Sequence, residues 1–235
     1  LAAILLLAFK KQPSSRMSRS SIILLDSGIN RKAAPAYSVS HAIADGQRNK
    51  SDTQERTMSR LTTINPADAT GATADIFAVI KKAVGKVPNA YATIGTNGPE
   101  ALGAMLAADA VIGKGTLTKS DVEAIRLAVS EKAGCDYCVA AHTLMGKLAG
   151  LSPETMKQVR GGQDTGDTKR DALLRFVRSL IGTSGTVPAA EVDAVQAAGY
   201  TERQIVEISL TIAQITFTNL MNRVNDTTLD FPAVA

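Results

Sequence analysis

Cys135 and Cys138 form a CxxC pair, and His142 follows four residues after the second sulfur, in a run, EKAGCDYCVAAHTLMGKLAG, that reads as a helix. Residues spaced i, i+3 and i+7 share one helical face, so the spacing predicts that both sulfurs and the imidazole converge on one spot. These are the only cysteines in the chain, and His142 is one of two histidines. A thiol attacks peroxides or disulfides as its thiolate, and a free thiol with a pKa of about 8.5 holds little of it at neutral pH. Three features are available to lower that value: the imidazole, the positive end of a helix, and the second thiol donating to the first thiolate. Gly134, directly before Cys135, is consistent with a helix starting there. Two intervening residues also let the sulfurs close into a disulfide without large backbone movement, so the pair is suited to cycling between dithiol and disulfide.

Other fates of these residues are weighed on the same spacing. A lone buried cysteine is ordinarily an inert small hydrophobe, which leaves the shared face with His142 unexplained. A zinc site needs four ligands, and only Cys135, Cys138 and His142 are evident. Covalent haem attachment needs His directly after the second Cys, where this chain has Val139.

Glu123 lies twelve residues before Cys135 in LTKSDVEAIRLAVSEKAGC, where Val122, Ile125 and Val129 mark an amphipathic helix started by Thr118 and Asp121 as a capping box. Glu123 is past the first turn of that helix. It either faces water, as Glu usually does, or reaches His142 and holds a proton; the sequence leaves both open.

Glu123, Cys135, Cys138 and His142, with Leu117 ahead and SEKAGCDYCVAAH around the pair, resemble the alkylhydroperoxidase D-like branch of the carboxymuconolactone decarboxylase family, whose pattern is a Glu, eleven residues, CxxC, three residues and His. The late run TERQIVEISLTIAQITFTNLMNR, with Asn219, Asn222 and Arg223, is similar to that family's last helix, so the resemblance extends over residues 58–235. It implies an all-α helical bundle with the CxxC at a helix N-terminus, a homo-oligomer (trimer or hexamer), and a dithiol peroxidase in which Glu123 and His142 relay a proton. Carried onto this chain, Cys138 is the peroxide-attacking thiolate, because His142 is one turn away, and Cys135 closes the disulfide. The reductant implied is an external dithiol, lipoyl-type or thioredoxin-like, with no bound metal or flavin. One position departs from the pattern: the best-known members carry a second His directly before the second Cys, where this chain has Tyr137. Tyrosine hydrogen-bonds but does not normally take a proton near neutral pH.

Around these residues the chain reads as helices. Of its 235 residues 45% are apolar and Trp is absent, and long Ala, Leu, Val and Ile segments recur at helical spacing, which favours an all-α fold with an ample core. Asn65 and Pro66 are N-cap and N1 residues, and Ala74–Val84 reads as a surface helix broken by GKVPNAY. Gly98 and Pro99 open a helix over Glu100–Ile112, closed by Gly113 and Gly115. The Glu123 helix and the dithiol helix follow, the latter ending at Gly150, and Ser152 and Pro153 start the next. After the polar loop GGQDTGDTK come helices from Arg170 to Ile181, from Pro188 to Ala198, and from Thr201 to Val224, the last opened by a Thr201–Gln204 capping box. Polar residues interrupt that last helix at Thr211, Gln214, Thr216, Thr218, Asn219 and Asn222. They need partners from a subunit interface or the thiol pocket, or are threonines bonded back to their own backbone.

Residues 1–57 differ in kind. They carry nine Lys or Arg against four Asp or Glu, while the remainder carries seventeen against eighteen, so the formal +4 of the chain belongs to this segment. Rich in Ser, Arg, Lys and Gln and without sustained periodicity, it reads as disordered or extraneous to the 58–235 domain. A targeting peptide is the rival, because Lys10, Lys11, Arg16 and Arg19 lie among serines without an acid. The stretch Leu1–Phe9 is too short to span a bilayer. No basic patch marks the domain, so neither nucleic acid nor membrane is an expected partner, and the location expected is cytoplasmic, or mitochondrial if 1–57 is a targeting peptide.

The reading is a CxxC peroxidase acting on alkyl hydroperoxides or hydrogen peroxide. A thiol-disulfide reductase or redox sensor acting on proteins, and a decarboxylase-like lyase with incidental thiols, are the alternatives.

Overall fold

A computed structural model of the chain describes residues 59–232 and 234. Both readings of segment 1–57, and its boundary at residue 57, lie outside those residues. The described residues are all-α, without a strand: α1 (Gly71–Val84), α2 (Asn89–Asn97), α3 (Pro99–Gly113), α4 (Lys119–Ala133), α5 (Asp136–Leu148), α6 (Pro153–Gly161), α7 (Thr168–Thr183), α8 (Ala189–Ala197) and α9 (Glu202–Asn225), after a short 3-10 turn at Pro66–Asp68. No helix among them is long and apolar enough to cross a membrane.

Most boundaries follow local chemistry. Asn65 Oδ1 accepts the Ala67 N–H at 3.0 Å, Thr118 Oγ1 the Asp121 N–H at 3.0 Å and Ser152 Oγ the Thr155 N–H at 3.0 Å, each satisfying an amide that the first helical turn leaves unpaired. At α9 the cap is reciprocal: Gln204 N–H donates to Thr201 Oγ1 at 3.2 Å and Thr201 N–H to Gln204 Oε1 at 3.0 Å.

The expected break at GKVPNAY is shorter than anticipated, because α2 begins inside it at Asn89. Its Thr93, Ile94, Gly95 and Thr96 are mediocre helix formers. Packing overrides propensity: Ala90, Ala92, Thr93, Ile94 and Gly95 are buried, and Ala92 and Ile94 join Phe77, Ile80, Leu102, Met105 and Leu106 in one apolar cluster with α1 and α3. Gly95 is there for closeness. A Cβ at that position would overlap the Phe77 ring and lie 2.9 Å from Leu102 Cδ2. Gly95→Ala is therefore expected to destabilise the protein by about 1–3 kcal/mol through overpacking, read as a lower urea midpoint with an unchanged m-value.

α4 is the axis of the remainder, packing against α5, α6, α7 and α9. Every residue from Asp121 to Ser130 is buried. Val122, Ile125 and Val129 face a cluster with Leu173, Phe176, Val177, Ile208 and Ile215, while Ala124, Leu127 and Ala128 face Val139, Leu151, Met156, Val159 and Leu174. A helix buried all round is normally apolar all round. This one reserves a third stripe, Glu123, Arg126 and Ser130, for polar groups.

Candidate active site

The polar stripe of α4 meets partners on three neighbouring helices. Glu123 Oε2 lies 2.7 Å from His142 Nδ1 on α5, and its Oε1 accepts from Arg126 Nη1 at 2.9 Å. Arg126 Nη2 donates to Asp109 Oδ1 on α3, and Ser130 Oγ donates to Asn219 Oδ1 on α9 at 3.1 Å. Of the two fates open to Glu123 in the sequence, the structure places it at 6% exposure against His142. Burial alone would push its pKa up, but His142 and Arg126, by charge and by hydrogen bonds, hold the carboxyl below the usual carboxylate value. Arg126 stays charged in the same way: burial opposes the guanidinium, and Asp109 and Glu123 more than offset it. Facing an ionised carboxylate, Nδ1 is the donor of this hydrogen bond.

The sulfurs sit at the α4–α5 corner. Gly134, at φ +63°, takes the left-handed conformation past the end of α4, its N–H bonding Glu131 O at 3.0 Å and the Cys135 N–H bonding Ser130 O at 3.1 Å. That pair of bonds is a Schellman closure, which a residue with a Cβ adopts only with strain. Arg223 Nη1 of α9 adds a bond to Ala133 O. The turn delivers Cys135 as the N-cap of α5, with its Sγ accepting the Cys138 N–H at 3.3 Å. Both cysteines are free thiols, each 2% exposed.

The two sulfurs differ electrostatically. Hydrogen bonds from Cys138, first from its side chain and then from its backbone N–H, outweigh burial and lower the Cys135 pKa, and Arg223 adds to this. Cys138 is pushed up by the Cys135 sulfur beside it and by burial, opposed by hydrogen bonds from Asn222 and Thr218. Asn222 Nδ2 donates to Cys138 Sγ at 3.3 Å. Cys135, at a helix N-terminus, is thus the more acidic sulfur of the pair. Among the described residues the His142 ring hydrogen-bonds Glu123 and neither sulfur.

Exposure to the interior separates the sulfurs again. A cavity of about 470 Å³ is lined by Cys138 and His142, with Asp109 and Arg126 among its polar residues and Tyr91, Leu144, Met145 and Leu148 among its apolar ones; Cys135 does not line it. Tyr137, at the position of the departure noted above, donates to Asp230 Oδ1 at 2.7 Å and accepts the Ala90 N–H at 3.2 Å. Burial first, then Asp230, raises its pKa, so it holds structure rather than a mobile proton. Among the described residues no group of three His, Cys, Asp or Glu side chains is placed to hold a metal ion.

Both fates foreseen for the polar residues of α9 occur. Thr211, Thr216 and Thr218 bond back to Glu207 O, Ile212 O and Ile215 O, while Asn219 and Asn222 serve Ser130 and the Cys138 sulfur. Asp109 and Arg126 were not singled out in the sequence. Their signal was a charge set inside the apolar runs ALGAMLAADAVIG and DVEAIRLAV, where a solvent-facing charge had no apparent face to occupy.

Residues 99–166, from the start of α3 to the loop after α6, match the sequence model of the carboxymuconolactone decarboxylase family. That segment is similar to the carboxymuconolactone decarboxylase family. Glu123, the CxxC pair and His142 all fall inside the matched segment. Among solved structures, an alkylhydroperoxidase AhpD core protein from Ralstonia eutropha JMP134, described as an uncharacterized peroxidase-related protein, is 25% identical with a TM-score of 0.66, over 74% of this chain and 93% of that one. The debrominase Bmp8 is 21% identical with a TM-score of 0.61, over 73% and 92%. A putative antioxidant defence protein AhpD from Agrobacterium tumefaciens is 21% identical with a TM-score of 0.54, over 58% and 95%. No curated protein sequence matches the chain significantly. The described residues thus have an alkylhydroperoxidase D-like helical fold, and the solved structures that share it include peroxidase-related proteins and a debrominase.

Proposed function

We propose that the protein is a dithiol peroxidase that reduces alkyl hydroperoxides or hydrogen peroxide, with Cys138 as the attacking sulfur. The observation that carries this reading is the Cys138 sulfur on the cavity wall beside His142, with a second, more acidic sulfur behind it. As the peroxide approaches, Cys138 gives up its proton to the His142–Glu123 relay and attacks the terminal peroxide oxygen. The O–O bond breaks, Cys138 becomes a sulfenic acid, and the departing alkoxide takes the same proton back from the His142–Glu123 relay to leave as alcohol. Cys135 then attacks the sulfenic sulfur; the S–O bond breaks, water departs with the Cys135 proton, and the disulfide forms. An external dithiol, lipoyl-type or thioredoxin-like, restores both thiols, with no resident metal or flavin in the cycle. The working form is a homo-oligomer, trimer or hexamer.

The test is stoichiometric. Fully reduced protein mixed with excess tert-butyl hydroperoxide is expected to lose two thiols and about 2 Da per chain for each tert-butanol formed, and to turn over when dihydrolipoamide is added. Disulfide exchange with protein substrates but no alcohol would replace this reading with the reductase, and an activity that survives alkylation of both cysteines would replace it with the lyase.

A further inference from the structure

One wall of the Cys138 cavity comes from beyond the helices. After α9 ends, residues 227–232 pass the start of α2 and the first turn of α5, and Asp230, Phe231 and Pro232 line the cavity with Cys138. Nothing in the chemistry above uses them. The segment is nonetheless held by a concentrated set of bonds, most of which meet at one residue. Tyr137 Oη donates to Asp230 Oδ1 at 2.7 Å, Lys86 Nζ donates to Asp230 Oδ2 at 2.9 Å and to its carbonyl at 2.8 Å, and the Asn89 N–H donates to Oδ2 at 3.3 Å. Asn89 Nδ2 adds a bond to Thr228 O at 2.9 Å.

This fixing sets the position of Phe231. Its ring stands edge-on to Tyr137, with centroids 5.4 Å apart at 81°, and the Lys86 ammonium lies 5.2 Å from its centre. On the inner side it packs against the cluster of Ala90, Cys135, Tyr137 and Cys138. A rigid aromatic ring placed there by a pinned carboxylate bounds the space in front of the sulfur, and a pocket wall discriminates by size where a flexible one would not. Tyr137 lies between the two cysteines, so the pin ties this wall to the turn that carries the thiols.

We infer that Phe231, held by Asp230, is a specificity-determining residue that limits the bulk of the electrophile reaching Cys138. The inference rests on the reading of Cys138 as the attacking sulfur. Compact or slender hydroperoxides pass the ring, and bulky aromatic ones are excluded by it.

The experiment uses the reduced full chain and needs no peroxide. Rates of Cys138 alkylation by iodoacetamide and by N-(1-pyrenyl)maleimide are compared, with the labelled cysteine assigned by peptide mass spectrometry. Phe231→Ala is expected to raise the pyrenyl rate about tenfold while the iodoacetamide rate stays within about twofold. Asp230→Asn, which keeps the ring and loosens its pin, is expected to move the ratio the same way by less. An equal rise for both reagents, no pyrenyl rise in either variant, or label entering at Cys135 would overturn the inference. Its failure is separable from that of the peroxidase reading. A size-selective alkylation response in a protein that forms no alcohol from hydroperoxide keeps the wall and removes the peroxidase, and normal peroxide turnover without a size response does the reverse.

Discussion

Cys138→Ser is expected to lower kcat/KM for hydroperoxide by about 10³-fold or more, while Cys135→Ser consumes one equivalent per chain and then stops. The difference follows from where the two sulfurs sit. Cys138 lines the cavity, and a serine there offers an alcohol that no neighbouring group is arranged to ionise. Cys135 caps α5 behind it and, in the proposed cycle, closes the disulfide. Without Cys135 the sulfenic acid has no partner, so dimedone should label Cys138 in Cys135→Ser after peroxide. Stopped-flow peroxide consumption and peptide mass spectrometry read both variants. Dimedone on Cys135 in the Cys138→Ser protein would reverse the assignment, and it is a sharp test because the lower pKa belongs to Cys135.

Arg126→Met is expected to cost about 3–5 kcal/mol of stability at neutral pH. The guanidinium bridges Asp109 and Glu123 with all three side chains at 10% exposure or less, and its removal leaves two carboxylates buried without it. The pH dependence has a definite sign. In the wild type the Glu123 pKa is held below its unfolded value of about 4.3, so its contribution is fully present above that value and is lost as pH falls through the folded pKa. In Arg126→Met one of the two groups opposing burial is gone, so the Glu123 pKa rises and its ionised form opposes folding. The deficit against wild type is therefore greatest near pH 7 and shrinks as the pH falls toward the carboxylate range. Urea midpoints at pH 7 and at pH 5 measure this, and a deficit independent of pH would show that the arginine acts through packing alone. Turnover should fall as well, with both thiols still titratable, because His142 is oriented by a carboxylate that has lost its own anchor.

Much of this arrangement was legible in the residues. Thr118, Ser152 and Thr201 cap the helices their positions indicated, and the spacing of Cys135, Cys138 and His142 places them around one corner of the fold because a helix fixes that geometry locally. What escaped was decided at longer range. α2 forms through burial of Ala92, Ile94 and Gly95 against partners in α1 and α3 rather than through propensity. Glu123 turns inward because Arg126 and His142 are there to receive it, and an i, i+3 pair alone does not say which way the face points. The relation of the imidazole to the sulfurs also depended on tertiary structure: helical phase brought His142 to the right face, but Glu123 on another helix took its hydrogen bond. The place of Asp230 and Phe231 is fixed by Lys86, Asn89 and Tyr137, distant in sequence, and no local signal encodes it.

The stripe of Glu123, Arg126 and Ser130 runs along the helix on which α5, α6, α7 and α9 all lean. An active site mounted on a loop can melt before its scaffold does. Here the charges that orient the imidazole are threaded through the central beam of the molecule, so warming should leave no interval in which the enzyme is folded but idle: catalytic power and helical signal are expected to vanish in the same few degrees.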